Sequence, residues 1–362
     1  MDSTFPACLL PAYCLPTHLP AITPMKIIQA TAFSLDSIAP ATATKPAPGA
    51  GEILVKVSAA TLNYRDLAVL SGGYLPNLPM PFVPASDCCG TVEAVGAGVT
   101  RFKAGDRVVP CYIQGYRDGA LTAEQRANCT LGGPLPGVLQ EYRVVPAEDA
   151  IAAPAYMTDA EAATLPIAAL TAWSALQRGG IKAGDNVLVQ GTGGVALFAL
   201  QFACAAGARV VALTSTAEKA AMLKRMGAAE VIDYAKTPAW SGAVREATGG
   251  RGADIVIETV GSTLPESLSA AAFNGFIGVI GFLGGMQVPL NIRQLIGPMV
   301  CVQGIVVGSR AGLEAMCRAM TLHQIHPVLD RTFGFSESRA ALQHMQRAAH
   351  VGKIVIDVAG QA

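Results

Sequence analysis

The residues of this chain whose spacing most clearly serves chemistry are Gly191-Thr192-Gly193-Gly194-Val195-Ala196. They follow directly on the apolar run Val187-Leu188-Val189-Gln190 and lead into the long apolar stretch Val195 to Ala206. Strand, glycine loop and helix in that order are the setting in which a pyrophosphate can be held on backbone N–H groups. Gly191 permits the tight turn, Gly193 lets phosphates approach the main chain, and Ala196 is small enough for close helix packing. The start of the helix adds partial positive charge. The chemistry expected of this loop is therefore dinucleotide binding.

The next strand, Arg209 to Leu213, indicates which dinucleotide. An NAD-specific site places Asp or Glu at its end, about 20 residues past the loop, to bond the ribose hydroxyls. Here the strand ends in Thr214-Ser215-Thr216. Without a carboxylate a 2′-phosphate is not repelled, Ser215 can hydrogen-bond it, and Lys219 can supply charge. NADPH is favoured over NADH. Both residues also have a plain structural reading, Ser215 as a helix cap and Lys219 as a solvated side chain.

Strands and helices must position such a loop, and the order expected along the chain does so. Asn186–Gln190, Arg209–Thr214, Glu230–Asp233, Asp254–Glu258 and Gly275–Ile280 read as strands. Helices are expected between them over 195–206, 218–226, 240–248 and 264–272. Strict alternation predicts a parallel sheet covered on both faces, an α/β doubly wound arrangement. Thr158 followed by Glu161 has the form of a capping box opening an alanine-rich helix that continues to Leu176. Before residue 150 the texture differs. Ile53–Ala59, Gly90–Gly96, Arg107–Pro110 and Glu141–Val145 are short β-rich runs punctuated by Gly and Pro, the pattern of a partly open β-barrel. Tyr112–Val138 reads as a surface loop or lobe. Val300–Val307 and Gly352–Ile356 are further strands.

With 362 residues, two domains are expected. Half the residues are hydrophobic, 14% are charged and formal net charge is zero, so nothing draws nucleic acid or anionic lipid over long range. Nine cysteines without a CxxC pair read as reduced thiols in a cytoplasmic setting. The longest apolar stretch is too short to span a bilayer. Residues 1–24, rich in proline, read as a loosely ordered extension without the basic head and unbroken apolar core of a secretory signal.

The span Met25 to Val358 resembles the medium-chain dehydrogenase/reductase superfamily, and within it the zinc-free branch of quinone-reductase-like and alcohol-dehydrogenase-like proteins. The likeness rests on Leu62-Asn63-Tyr64-Arg65-Asp66, Gly96-Ala97-Gly98-Val99 with Phe102-Lys103-Ala104-Gly105-Asp106-Arg107-Val108, Ala163-Thr164-Leu165-Pro166, Leu170-Thr171-Ala172-Trp173, the glycine loop, and Gly352-Lys353. It implies a GroES-like, barrel-like catalytic domain built by both chain ends around a central Rossmann domain. The expected divisions are 25–154 for the first part of the catalytic domain, 155–295 for the NAD(P)-binding domain, and 296–362 for a dimer-edge strand and the return to the catalytic domain. A homodimer is expected through Val300–Val307.

Zinc members of the family carry a cysteine, a His-Glu pair and a second cysteine where this chain has Asn63, Ser86-Asp87 and Ile167. No zinc ligand set is expected, since zinc needs three N or S donors and an open position. The four-cysteine lobe is absent too, and Cys88 and Cys89 read as small buried side chains. Without a Lewis acid, reduction of an activated C=C or a quinone is the easier task, because charge spreads onto a conjugated oxygen. Tyr74 matches the place of the catalytic tyrosine in similar enoyl thioester reductases. Tyr64, beside Asn63, is the other proton donor to consider. The resemblance brings Thr171 to the nicotinamide carboxamide, Asn63 to the nicotinamide ribose, Tyr234 to the adenosine end and Lys353 to the pyrophosphate. Val260-Gly261 and Gly281-Phe282-Leu283 are expected at strand ends facing the cofactor. The histidines are expected to lie away from the site. A zinc-free alcohol dehydrogenase or carbonyl reductase stays open, as does a nucleotide-binding protein without catalysis.

Overall fold

A computed structural model describes residues 23–285 and 287–360. Most of the extension read over 1–24 lies outside the described residues. In chain order the elements are β1 (Pro24–Ala30), β2 (Ile38–Thr44), β3 (Glu52–Thr61), α1 (Tyr64–Leu70), β4 (Asp87–Val95), β5 (Arg107–Pro110), α2 (Ala123–Asn128), β6 (Tyr142–Pro146) and β7 (Ala150–Ala152). They continue as α3 (Asp159–Ala162), α4 (Leu170–Arg178), β8 (Asn186–Gln190), α5 (Gly194–Ala205), β9 (Arg209–Thr214), α6 (Ala217–Arg225), β10 (Glu230–Asp233), α7 (Trp240–Ala247), β11 (Ala253–Glu258) and α8 (Leu264–Ala270). The chain closes with β12 (Ala271–Val279), α9 (Ile292–Ile296), β13 (Cys301–Gly304), α10 (Arg310–His323), β14 (Leu329–Gly334), α11 (Ser338–Gln346) and β15 (Lys353–Asp357).

The central sheet is six-stranded and parallel, in the order β10-β9-β8-β11-β12-β13. Its inner strands bury both faces, which is why they read as unbroken apolar runs. Ala172, Ala175, Leu197, Leu200 and Leu313 cover one face, and Trp240, Val244, Leu264 and Leu268 the other. This is the Rossmann arrangement. The order in which strands are added reverses between β8 and β11, and the loops leaving those two parallel strands lie side by side at the switch point where ligands bind in such sheets.

The second domain is a seven-stranded sheet, β14-β15-β3-β4-β5-β7 with β6 on β3. β15, from the far end of the chain, pairs antiparallel with β3 through Val355 and Thr61. Both chain ends thus build the GroES-like domain. The β1–β2 hairpin is paired from Pro24–Thr44 to Ala30–Ile38; Met25–Ala30 has a strand-like apolar pattern, whereas Pro40 and the alanines of Ile38–Thr44 mask its partner in the sequence.

Two further expectations need refinement. Tyr112–Val138 is a lobe rather than a plain surface loop: its middle is exposed and carries α2, while Tyr112, Ile113, Tyr116, Leu131 and Val138 are buried anchors. The helix read from Thr158 to Leu176 is interrupted. Thr158 and Glu161 do cap α3 reciprocally, but Pro166, lacking an N–H for the ladder, coincides with a wide π turn over Leu165–Ala169 before α4 begins.

Candidate active site

Gly191 adopts φ +80°, a left-handed conformation that glycine enters without steric cost. Gly193 caps α5 with no side-chain hydrogen bond, so the first N–H groups of this 12-residue helix have no side-chain partner at that cap. A Cβ at Gly193 would have nothing within 4 Å. Open backbone donors, a helix N-terminus and free space before the loop fit a pyrophosphate. Val195 is half-buried and Thr192 buried, the latter's carbonyl accepting from the Gly352 N–H at 2.8 Å. That bond ties the catalytic domain's last strand to the loop.

The neighbouring loop is held by a residue that sequence reasoning missed. Buried Glu258 accepts the N–H groups of Val260 and Gly261, both at 2.9 Å, and the Thr263 hydroxyl at 2.8 Å. Its other oxygen takes Gln190 Nε2 at 2.9 Å, and Gln190 Oε1 accepts from Thr259 N–H at 3.1 Å. The two switch-point loops are thereby stitched together; the available signal was a lone carboxylate ending an apolar strand. Gly261 packs on Gly281 and Phe282, and a Cβ at Gly281 would strike Thr259 O at 1.9 Å. Val260, Gly261, Gly281 and Phe282 therefore form one edge of the cleft, with Leu283 exposed beside them. Thr171 is buried on α4.

At the end of β9, Thr214 is buried and its carbonyl accepts the Tyr234 N–H at 2.9 Å, while the Tyr234 ring is exposed. Thr216, not Ser215, caps α6, its hydroxyl accepting from Lys219 N–H at 3.3 Å. Capping therefore does not account for Ser215. Among the histidines, burial pushes the His350 pKa down against the opposing pull of Asp330. Its Nδ1 is buried without a partner.

Where zinc relatives would carry ligands there is a buried polar cluster. The Lys353 stem crosses the start of α5, so that a Cβ at Gly194 would come within 2.7 Å of Lys353 Cδ. Its ammonium donates to Leu62 O and Asn63 Oδ1, both at 2.6 Å. Asn63 Nδ2 donates to Asp87 Oδ2 at 2.8 Å, and Asn63 N–H to Asp66 Oδ2 at 2.8 Å. Arg65 contacts Ser86 and Asp66 and donates to Leu131 O at 3.1 Å and Gly133 O at 3.1 Å. The Asn63 amide thus has both ends engaged inside the protein, and the Lys353 ammonium faces Asn63 in this state. Burial raises the Asp87 pKa to about 7 against the opposing pull of the Lys353 ammonium and the Asn63 hydrogen bond; burial also raises Asp66 and lowers Lys353. Cys88 and Cys89 are wholly buried, and burial pushes Cys88 up to about 12. Among the described residues no three His, Cys, Asp or Glu side chains gather as a metal site. The donors present do not fit zinc.

Across the cleft the two tyrosines meet a single ring. Phe282, from the nucleotide domain, stacks on Tyr74 at 6.3 Å and lies edge-on to Tyr64 at 5.6 Å. Tyr64 is 44% exposed and Tyr74 half-buried. Arg126, from α2, donates to Tyr74 Oη, and the guanidinium groups of Arg126 and Arg65 lie 5.7 and 5.9 Å from the Tyr74 ring. Nothing in the sequence pointed to Arg126.

The family model described as alcohol dehydrogenase GroES-like domain matches residues 49–155, and that described as zinc-binding dehydrogenase matches 194–321. A zinc-type alcohol dehydrogenase-like protein of Schizosaccharomyces pombe is 41% identical, over 85% of this chain and 91% of its own. The chain belongs to the medium-chain dehydrogenase/reductase superfamily. The chain is also similar to an acryloyl-coenzyme A reductase of Metallosphaera sedula, 30% identical over 86% of this chain and 93% of that one. A solved structure from Sinorhizobium meliloti, described as a putative alcohol dehydrogenase, superposes with a TM-score of 0.88 at 42% identity, covering 94% of this chain and all of that one. It is an oxidoreductase. Asn63, Ser86, Asp87 and Ile167 offer no cysteine or histidine.

Proposed function

We propose that this medium-chain reductase works without zinc and reduces an activated C=C or a quinone with NADPH. The observation that carries the reading is the stacking of Tyr74 on Phe282, which brings the tyrosine ring to the strand ends that would face a bound nicotinamide. NADPH supplies a hydride when bound. The loop 191–195 would hold its pyrophosphate. Val260, Gly261, Gly281, Phe282, Leu283 and Thr171 would line the nicotinamide side, and Tyr234 the adenosine side. Ser215, free of capping duty, and Lys219 would take the 2′-phosphate. Tyr74 donates the proton, with Tyr64 as the second donor within the same aromatic group. Asn63 acts by positioning, since its amide ties the Tyr64-bearing turn to Lys353 and Asp87. Lys353 does not offer its ammonium to the pyrophosphate as the resemblance implies, since Leu62 O and Asn63 Oδ1 hold it; it would support the loop through its stem beside Gly194.

The test is a panel of cyclohexenone, a quinone, a crotonyl thioester and simple alcohols, followed at the nicotinamide absorbance with NADPH and NADH. Reduction of the conjugated substrates, lost in Tyr74→Phe while NADPH binding persists, is the expected result. Turnover of alcohols alone would replace this reading by a zinc-free alcohol dehydrogenase, and cofactor binding without turnover by a nucleotide-binding protein. A clear NADH preference would overturn the assignment of Ser215 and Lys219. We further infer a homodimer joined at β13, which ends the central sheet with Cys301 and Val302 exposed; a monomer at micromolar concentration in light scattering would oppose it. A cytoplasmic setting accords with the seven described cysteines, all free. No described helix is long and apolar enough to cross a membrane.

A further inference from the structure

Arg126 is not explained by the packing of its own helix. It stands in the last turn of α2, half-buried, with no carboxylate in ion-pair distance among the described residues. The acidic side chain nearest in sequence, Glu124, is exposed on the same helix. Instead of pairing with an acid, Arg126 reaches 52 residues back along the chain to the hydroxyl of Tyr74. A guanidinium has no acceptor, so in this bond Tyr74 can only receive. The phenolic proton is left uncommitted, and Phe282 on the opposite wall fixes the ring that carries it. The second nearby cation, Arg65, is spent on Asp66, Ser86 and the carbonyls of residues 131–133. Arg126 is thus the cation beside Tyr74 that remains available to a ligand.

We propose that Arg126 and Tyr74 together form the site for a delocalised organic oxyanion: the enolate oxygen of an enone or enoyl substrate, or the corresponding hydroquinone anion. The inference rests on the conjugate-reductase reading and identifies where the charge generated in that reaction is held. Reduction of an enone adds hydride at the β-carbon, moves the C=C electron pair into the enolate and leaves negative charge on the carbonyl oxygen. That oxygen takes the proton of Tyr74 Oη, the Arg126 guanidinium stands beside the phenolate so formed, and solvent returns a proton to the tyrosine. An oxygen accepting from Tyr74 would lie within two hydrogen-bond lengths of the guanidinium, close enough for its charge to count. The planar fork of Arg also suits a flat, conjugated anion better than a point charge would.

Equilibrium binding of cyclohexane-1,3-dione, a flat enolate anion at neutral pH, tests this apart from turnover, with neutral cyclohexanone as the control. The NADP-loaded protein is expected to bind the dione at least about tenfold more tightly than Arg126→Gln does, with Arg126→Lys between them and Tyr74→Phe weakened as well, while cyclohexanone binds all four alike. Kinetically, Arg126→Gln is expected to lower kcat roughly ten- to a hundredfold on cyclohexenone with little change in KM. The loss should be smaller on a quinone, whose product anion spreads its charge without help. A parallel fall on both substrates with unchanged dione affinity would overturn the inference and leave Arg126 as a prop for Tyr74. Arg126-dependent dione binding in a protein that reduces neither substrate would instead uphold the anion site and sink the conjugate-reductase reading. Unchanged NADPH affinity and thermal stability in Arg126→Gln exclude a folding defect as the cause.

Discussion

Replacing Gly193 by alanine separates what the glycine loop does for the fold from what it does for a ligand. Gly193 has φ −75° and ψ 171°, a conformation open to alanine, and a Cβ there would touch nothing within 4 Å. The free protein should therefore tolerate the change, gaining about 0.4–1 kcal/mol from the stiffer unfolded chain. The new methyl would nonetheless stand in the space through which phosphates approach the N–H groups at the start of α5. Displacing one charge-assisted hydrogen bond costs about 1.5–3 kcal/mol, or roughly ten- to over a hundredfold in NADPH affinity. Gly194→Ala is the matched contrast. Its methyl would meet Lys353 Cδ at 2.7 Å and Ala168 Cβ at 3.3 Å, and Lys353 cannot retreat easily while its ammonium is held at 2.6 Å by Leu62 O and Asn63 Oδ1. Overpacking there should cost about 1–3 kcal/mol of stability. Fluorescence titration with NADPH and thermal unfolding, run on both variants, check the pair. A Gly193→Ala protein that binds NADPH like the parent would refute the phosphate cradle, and one destabilised like Gly194→Ala would refute the packing argument.

Asp87 predicts a pH dependence. Its buried carboxyl keeps its proton up to about 7, whereas the unfolded chain releases it near the ordinary carboxylate value. Across that window the folded state holds the extra proton, so the contribution of Asp87 to stability falls as pH rises from about 4 to about 7, by at most about 4 kcal/mol. In denaturant unfolding, the stability of Asp87→Asn relative to the parent should rise over the same interval; a difference that stays flat would show that Asp87 is ionised throughout. Thr216→Ala should cost about 1 kcal/mol through loss of the α6 cap without altering the preference between NADPH and NADH, whereas Ser215→Ala should erode that preference at unchanged stability. Paired thermal and binding titrations distinguish the two residues, and the reverse pattern would exchange their roles.

Much of the central sheet was legible because its inner strands are buried on both faces and its helices pack on them from either side. Asn186–Gln190, Arg209–Thr214 and Glu230–Asp233 come out with the bounds read from their apolar runs. The capping box at Thr158 was legible for a similarly local reason, two hydrogen bonds within one turn. Elements whose burial depends on distant partners were not. The strand Ile38–Thr44 alternates small and polar residues and is set by pairing with Pro24–Ala30. Tyr112–Val138 looked solvated because its glycines and polar side chains hide a few apolar anchors that bury only against the catalytic sheet and the Leu62–Asp66 turn.

The glycine loop, the missing acidic residue after β9 and the absent metal ligands are properties of residue types at fixed spacings, and the sequence by itself determined them. Where the long side chains point was decided only in three dimensions. Lys353 turns to Asn63 because β15 lies along β3, and Thr216 takes the cap that Ser215 could have taken because the backbone bends one residue later. Arg126 reaches Tyr74 because the wall it stands on folds over the cleft. A flexible charged side chain has several partners of similar energy, and tertiary packing selects among them by burying some and leaving others within reach.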